Sequence, residues 1–172
     1  DRSPSRGLGD VYKRQSLYRT FGQHGSDVIW KYDYLRKALG SSIGFVLKAP
    51  GQEPIYIAGD TVWHPEVEAE IQKHKPGTIV LNTGGASLET DVNRISYPWV
   101  KADPEIIMNK EDVEKAYKVA PQAKIITVHM DAINHMTVTR KDMKKFVEEK
   151  GLGSRVHIPQ DGEVIVTGSG KN

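Results

Sequence analysis

After Ser16 the apolar positions fall into short runs separated by polar, glycine-rich or proline-rich links. Ile43 to Lys48 (IGFVLK) and Ile55 to Ala58 (IYIA) predict two buried strands, and the intervening APGQEP predicts a hairpin turn. In PEVEAEIQKH, residues 65–74, Val67 and Ile71 stand four apart on one helical face. Pro65 suits the first turn of that helix, and Lys75-Pro76-Gly77 ends it. Thr78 to Asn82 (TIVLN) predicts a third buried strand, closed by Gly84-Gly85. A second helix is expected from the cap-like NKED at Asn109 to Ala120-Pro121, with Val113, Ala116 and Tyr117 as its stripe. Lys124 to His129 (KIITVH) reads as a core strand. Thr139 then caps a third helix, which turns Met143, Phe146 and Val147 inward and stops at Gly151. Arg155 to Ile158 and Glu163 to Thr167 are expected as closing strands joined by PQDG. Residues 86–108, with Tyr97, Pro98, Trp99 and Pro104, show no period and predict a long loop with at most one short element. Such a loop is where specificity is expected. Strand–helix–strand alternation without repeats predicts an α/β sandwich, its active groups in loops at the strand ends.

Composition narrows the chemistry. The 172 residues suffice for one domain with a real core, and 38% apolar with 27% charged residues is a globular composition. With no cysteine there is neither a disulfide framework nor a thiolate ligand or nucleophile, so any metal must be held by His, Asp or Glu. No apolar run is long enough to cross a bilayer, and the expected location is cytoplasmic without membrane partners. The net charge of +2 belongs to residues 1–15, which carry Arg2, Arg6, Lys13 and Arg14 against Asp1 and Asp10. The remainder balances at 20 basic and 20 acidic residues, so no basic patch points to nucleic acid.

That first segment, DRSPSRGLGDVYKRQ, has neither helical nor strand periodicity. Asp10 to Gln15 looks like an in-frame translation of a sequencing-library adapter end. Residues 1–15 are therefore expected to be a non-native tail, with residues 16–172 the C-terminal portion of a larger domain.

Three residues share a context suited to metal chemistry. His24 lies in FGQHGSD, Asp60 ends the strand-like run IYIAGD, and His129 ends KIITVH. Imidazole and carboxylate are what Zn²⁺, Mn²⁺ or Fe²⁺ take when thiolate is absent. Strand ends fix the backbone while the adjoining loops leave coordination positions open. Each residue also has a plainer reading: a loop histidine for His24, a turn or helix-cap acceptor for Asp60, and a core histidine for His129. The sequence NTGGAS, residues 82–87, lets backbone approach closely or simply turns; it lacks the phosphate-loop fingerprint.

The ordered motifs GQHG, YIAGDT, VHMDAINHMTVTRKDM and RVHIPQDGE resemble the C-terminal half of the metallo-β-lactamase-fold hydrolases, in the branch of ascorbate-6-phosphate lactonase-like proteins. The resemblance covers Ser16 to about Thr167. It implies the C-terminal half of an αβ/βα sandwich with two divalent transition-metal ions, zinc first, manganese or iron next. It implies that His24 ligates the first metal, Asp60 bridges both, and His129 ligates the second. His135 would support a ligand or face the substrate, or else make a hydrogen bond at the helix entry. Asp131 would orient an imidazole or lie as a surface charge; His64, His74 and His157 read as structural or exposed. The family's His-x-His-x-Asp-His run has no counterpart in this chain. The implied parent is a hydrolase in which a metal-bridging hydroxide attacks a lactone, an ester or a phosphorylated small metabolite. The chain itself is then expected to be inactive, with an uncovered face that favours self-association into a homo-oligomer. The alternative is a non-catalytic α/β binding module in which Asp60 and the histidines are structural.

Overall fold

The computed structural model describes residues 15–88, 103–131 and 136–167. Its elements run β1 (Ser16–Gly22), α1 (Asp27–Trp30), α2 (Asp33–Leu39), β2 (Ser42–Lys48), β3 (Ile55–Ile57), α3 (Pro65–His74), β4 (Thr78–Asn82), α4 (Lys110–Val119), β5 (Lys124–Val128), α5 (Arg140–Glu149) and β6 (Val156–His157). The strands form one sheet in chain order. Its first two pairings, β1–β2 and β2–β3, are antiparallel, and the β3–β4–β5–β6 run is parallel. This is a mixed α/β fold, as the sequence pattern predicts.

Local signals set the three ten-residue helices. Pro65 opens α3, and Lys75, left-handed at φ 45°, donates its N–H back to Ile71 O to close it. Asn109 caps α4 and Thr139 caps α5, each in a reciprocal capping box with an aspartate, Asp112 and Asp142. Each cap is worth about 1 kcal/mol. The inward faces, Val67 and Ile71, Val113 and Ala116, and Met143, Phe146 and Val147, pack on one side of the sheet. Val46, Tyr56, Ile79, Leu81 and Ile125 supply the sheet's part of that core. Tyr56 is fully buried there, and burial pushes its phenol up to about 12.

The other side of the sheet is different. Phe45, Ile57, Val80 and Ile126 are register neighbours across β2 to β5. Among the described residues none of the three long helices covers them, and Leu47 and Ile57 stand 38% and 37% exposed.

Two expectations fail. Glu163 to Thr167 is not a strand: the chain turns at Asp161-Gly162, leaves the sheet, and exposes Val164 and Val166. Its alternating apolar residues imitate a strand, but the hydrogen bond that ties it to β5 among the described residues is a side-chain donation, Lys124 Nζ to Val166 O, and not a backbone ladder. The preceding strand shrinks to Val156–His157. Conversely, Ser16–Gly22 and the short helices α1 and α2 form where the apolar pattern predicts no element. The expected tail up to Arg14, most of the long loop (89–102) and His135 lie outside the described residues.

Candidate functional site

The C-terminal ends of the parallel strands converge. Asp60 follows β3, Asn82 ends β4, and His129 follows β5. The chain bends after β3 at Gly59, φ 72°, where a Cβ would stand 2.6 Å from Ile43 O. The bend brings Asp60 beside its neighbours on the next strands. Asn82 Nδ2 donates to Asp60 Oδ1 at 2.6 Å, and His129 Nε2 lies 3.7 Å from the same oxygen. Both Asp60 and His129 remain about one-third exposed. Asn82 is the residue that sequence reasoning passed over. Its signal was its place, a polar side chain ending an apolar strand in line with the other two.

His129 and Asp131 are non-glycine residues with left-handed backbone, φ 62° and 58°. Asp131 Oδ2 accepts from the Arg140 N–H at 3.2 Å and from Arg140 Nη1 at 3.4 Å. Its carboxylate thus ties the turn to the start of α5 through Arg140. Across the turn, Gly84 packs so closely on His129 O and Met136 Sδ that a Cβ could not fit.

His24 occupies a separate loop. Its Nδ1 lies 3.0 Å from Leu39 O, and a carbonyl only accepts, so Nδ1 is the donor, and in the neutral ring the lone pair falls on Nε2. Trp30 Nε1 donates to His24 O at 2.8 Å. This loop is laced to the Asp60 loop: Gln23 N–H donates to Thr61 Oγ1 at 2.9 Å, and Val62 N–H to Gln23 O at 2.9 Å.

A strap of residues 103–109 holds these loops together by its backbone. Gly25 N–H donates to Ile106 O and Ser26 N–H to Glu105 O; Met108 N–H donates to Thr61 O, and Gly85 N–H to Met108 O. Asn109 Nδ2 donates to Glu105, whose carboxyl is raised by burial and then by Asp112. The described ends of the long loop therefore serve as scaffold for both the His24 and the Asp60 turns. Of the remaining histidines, His64 packs on Phe21 and pairs with Glu66, His74 is buried beside Glu70, and His157 is exposed.

The arrangement brings together Asp60 and His129, with Asn82 orienting the carboxylate. Among the described residues no three His, Asp or Glu side chains stand close enough to hold a metal ion. His24 is linked to the pair through backbone contacts of its loop rather than by its side chain. The donors present fit part of a metal site of nitrogen and oxygen ligands; alone they do not complete one.

No protein-family model matches the chain. It is 39% identical over 153 residues to the UPF0173 protein YddR of Bacillus subtilis, covering 89% of this chain and 54% of that protein. The crystal structure of an isothiocyanate hydrolase from Delia radicum gut bacteria matches with a TM-score of 0.83 at 34% identity, over 98% of this chain and 60% of that one. A possible metal-dependent hydrolase of Veillonella parvula matches at 0.82 and 32%, over 93% and 56% of the two chains. A metallo hydrolase of the archaeon Ignicoccus hospitalis shares the fold at 0.62 with 20% identity. The fold is thus that of metal-dependent hydrolases, and the chain spans little more than half the length of the relatives it matches.

Proposed function

We propose that this chain carries one half-site of a metal-dependent hydrolase and forms the C-terminal half of a metallo-β-lactamase sandwich. The observation that carries the reading is the meeting of Asp60 and His129 at the ends of β3 and β5, 3.7 Å apart, within a fold shared with solved hydrolases. Asp60 would bridge two ions, His129 would ligate one, and His24 the other through Nε2. Imidazole ligands commonly donate their second ring N–H to a carbonyl, as His24 does to Leu39. Asn82 holds one oxygen of Asp60, which leaves the other free to turn toward an ion. Divalent ions, when bound, supply Lewis acidity and a water acidic enough to attack near neutral pH.

The substrate class we favour is a lactone, an ester or another small molecule with an electrophilic carbon. The carbon of an isothiocyanate, the substrate named for one relative, belongs to the same class. We expect the chain alone to lack hydrolase activity, its described residues bringing together only part of the donor set. The competing reading, a binding module, takes its support from that same shortfall. Metal titration of the full-length protein separates the two. Uptake of about two transition-metal ions, with weaker or fewer ions bound after Asp60→Ala, is expected. An isotherm unchanged by that substitution would overturn the hydrolase reading.

A further inference from the structure

Beyond β6 the chain departs from the sheet and opens a cleft of about 360 Å³ between β5 and residues 159–165, with His129 at one end. The volume lies at the small end of the range for small-molecule pockets. Its walls are mixed: Ile126 and Val128 from β5, with Pro159 and Ile165, supply the apolar part beside a rim of polar and charged side chains. The cleft adjoins the Asp60–His129 pair, so a molecule whose reacting carbon lies at that pair can lay its tail here.

The charges of the cleft decide what kind of tail fits. Arg140 is the cation in the lining, and each of its three guanidinium nitrogens donates one hydrogen bond. Nε donates to Pro159 O at 3.2 Å, Nη1 to Asp131 at 3.4 Å, and Nη2 to Asp161. Glu163 also lines the cleft, and its Oε2 accepts the Gln160 N–H at 2.8 Å. Asp131 and Asp161 thus balance the charge of this guanidinium, and Glu163 adds a further negative charge to the lining. A phosphate or carboxylate placed here would face the net negative charge of these side chains. An uncharged apolar group would instead bury surface against Ile126, Val128, Pro159 and Ile165.

We propose that this cleft is the substrate-tail pocket and that it selects uncharged apolar groups over phosphorylated ones. The proposal rests on the hydrolase reading for the reacting end of the substrate and narrows it: phosphorylated metabolites drop out, and neutral esters, lactones and similar electrophiles remain. Arg140 acts as a positioning residue that ties the His129 turn to the outer wall of the cleft.

The test is a methyl and imidazole NMR titration of the 172-residue chain with phenyl acetate and, separately, phenyl phosphate, which share a ring and differ in charge. Phenyl acetate is expected to shift the Ile126 and Ile165 methyls and the His129 ring proton. Phenyl phosphate should require at least about tenfold higher concentration, as expected for a dianion near a rim of net negative charge. Neutralising the rim with Asp161→Asn and Glu163→Gln together should narrow that ratio to about threefold on the same Coulomb reasoning. Equal or tighter phosphate binding, an ester that shifts none of these signals, or a ratio untouched by the double variant would each overturn the proposal. A zinc isotherm insensitive to Asp60→Ala bears on the hydrolase reading instead, so the two failures are distinguishable.

Discussion

Adjacent residues of β3 and β4 live in different surroundings. Tyr56 and Ile79 are fully buried beneath the helices, whereas Ile57, one step from Tyr56, is 37% exposed, and Val80 beside Ile79 is only partly covered. Both faces are apolar nonetheless. IGFVLK, IYI and TIVL run as continuous hydrophobic stretches, the pattern of strands buried on both sides rather than on one. The comparison teaches that helix packing on one face organises the fold, while the same strands offer a second apolar surface with room for a cover. Self-association through that surface is the expected behaviour of the chain.

The sharpest way to break this contrast is a matched pair of truncations. Ile125→Ala on the helix-covered face should cost roughly 2–5 kcal/mol, and Ile57→Ala on the open face about 1 kcal/mol or less, read from urea midpoints. Equal losses would mean that the open face is as tightly packed as the other. A double variant, Leu47→Lys with Ile57→Lys, changes stability by about 1 kcal/mol or less but should shift the chain toward monomer in sedimentation velocity. An undiminished oligomer would move the contact elsewhere.

The smallest expected effect concerns the buried edge of the covered face. His74 stacks on Tyr18 at 5.5 Å and lies 3.0 Å from Glu70. Burial and then Lys48 hold its imidazole below the ordinary range, with Glu70 opposing them. A histidine depressed in the folded state favours folding in its neutral form. Its contribution is therefore complete above about 6.5 and is lost as the pH falls from there through the folded value. Wild type should lose more stability between pH 7.5 and 5.5 than His74→Gln does, and parallel pH curves would assign the loss to other groups.

Much of this architecture was legible where one residue commands its own neighbourhood. Pro65, Asn109 and Thr139 each announce a helix start by chemistry that acts within three or four residues, and the corresponding helices begin where expected. The apolar run Thr78–Asn82 likewise is a strand over that whole range. By contrast β1, with Arg19 and Tyr18 in its middle, has no compact apolar run, and the four residues of α1 are too few to show a period. Glu163 to Thr167 alternates like a strand, yet pairing is a property of a partner, and β6 already occupies the edge beside β5. At the site, Asp60 and His129 were visible as polar ends of apolar runs. Asn82 needed the parallel register that sets β3, β4 and β5 side by side, and the strap needed long-range backbone bonds that leave no mark in side-chain pattern.

That strap fixes what kinds of genetic change the region can absorb. Its ties to Gly25, Ser26, Thr61 and Gly85 run through main-chain amides and carbonyls of Glu105, Ile106 and Met108. Amides and carbonyls are common to nearly every residue type, so the identity of residues 106–108 is free to drift within the demands of packing. Spacing is not: one codon gained or lost between Glu105 and Asn109 would put each carbonyl opposite the wrong loop. In this stretch the count of residues, more than their kind, is the inherited instruction.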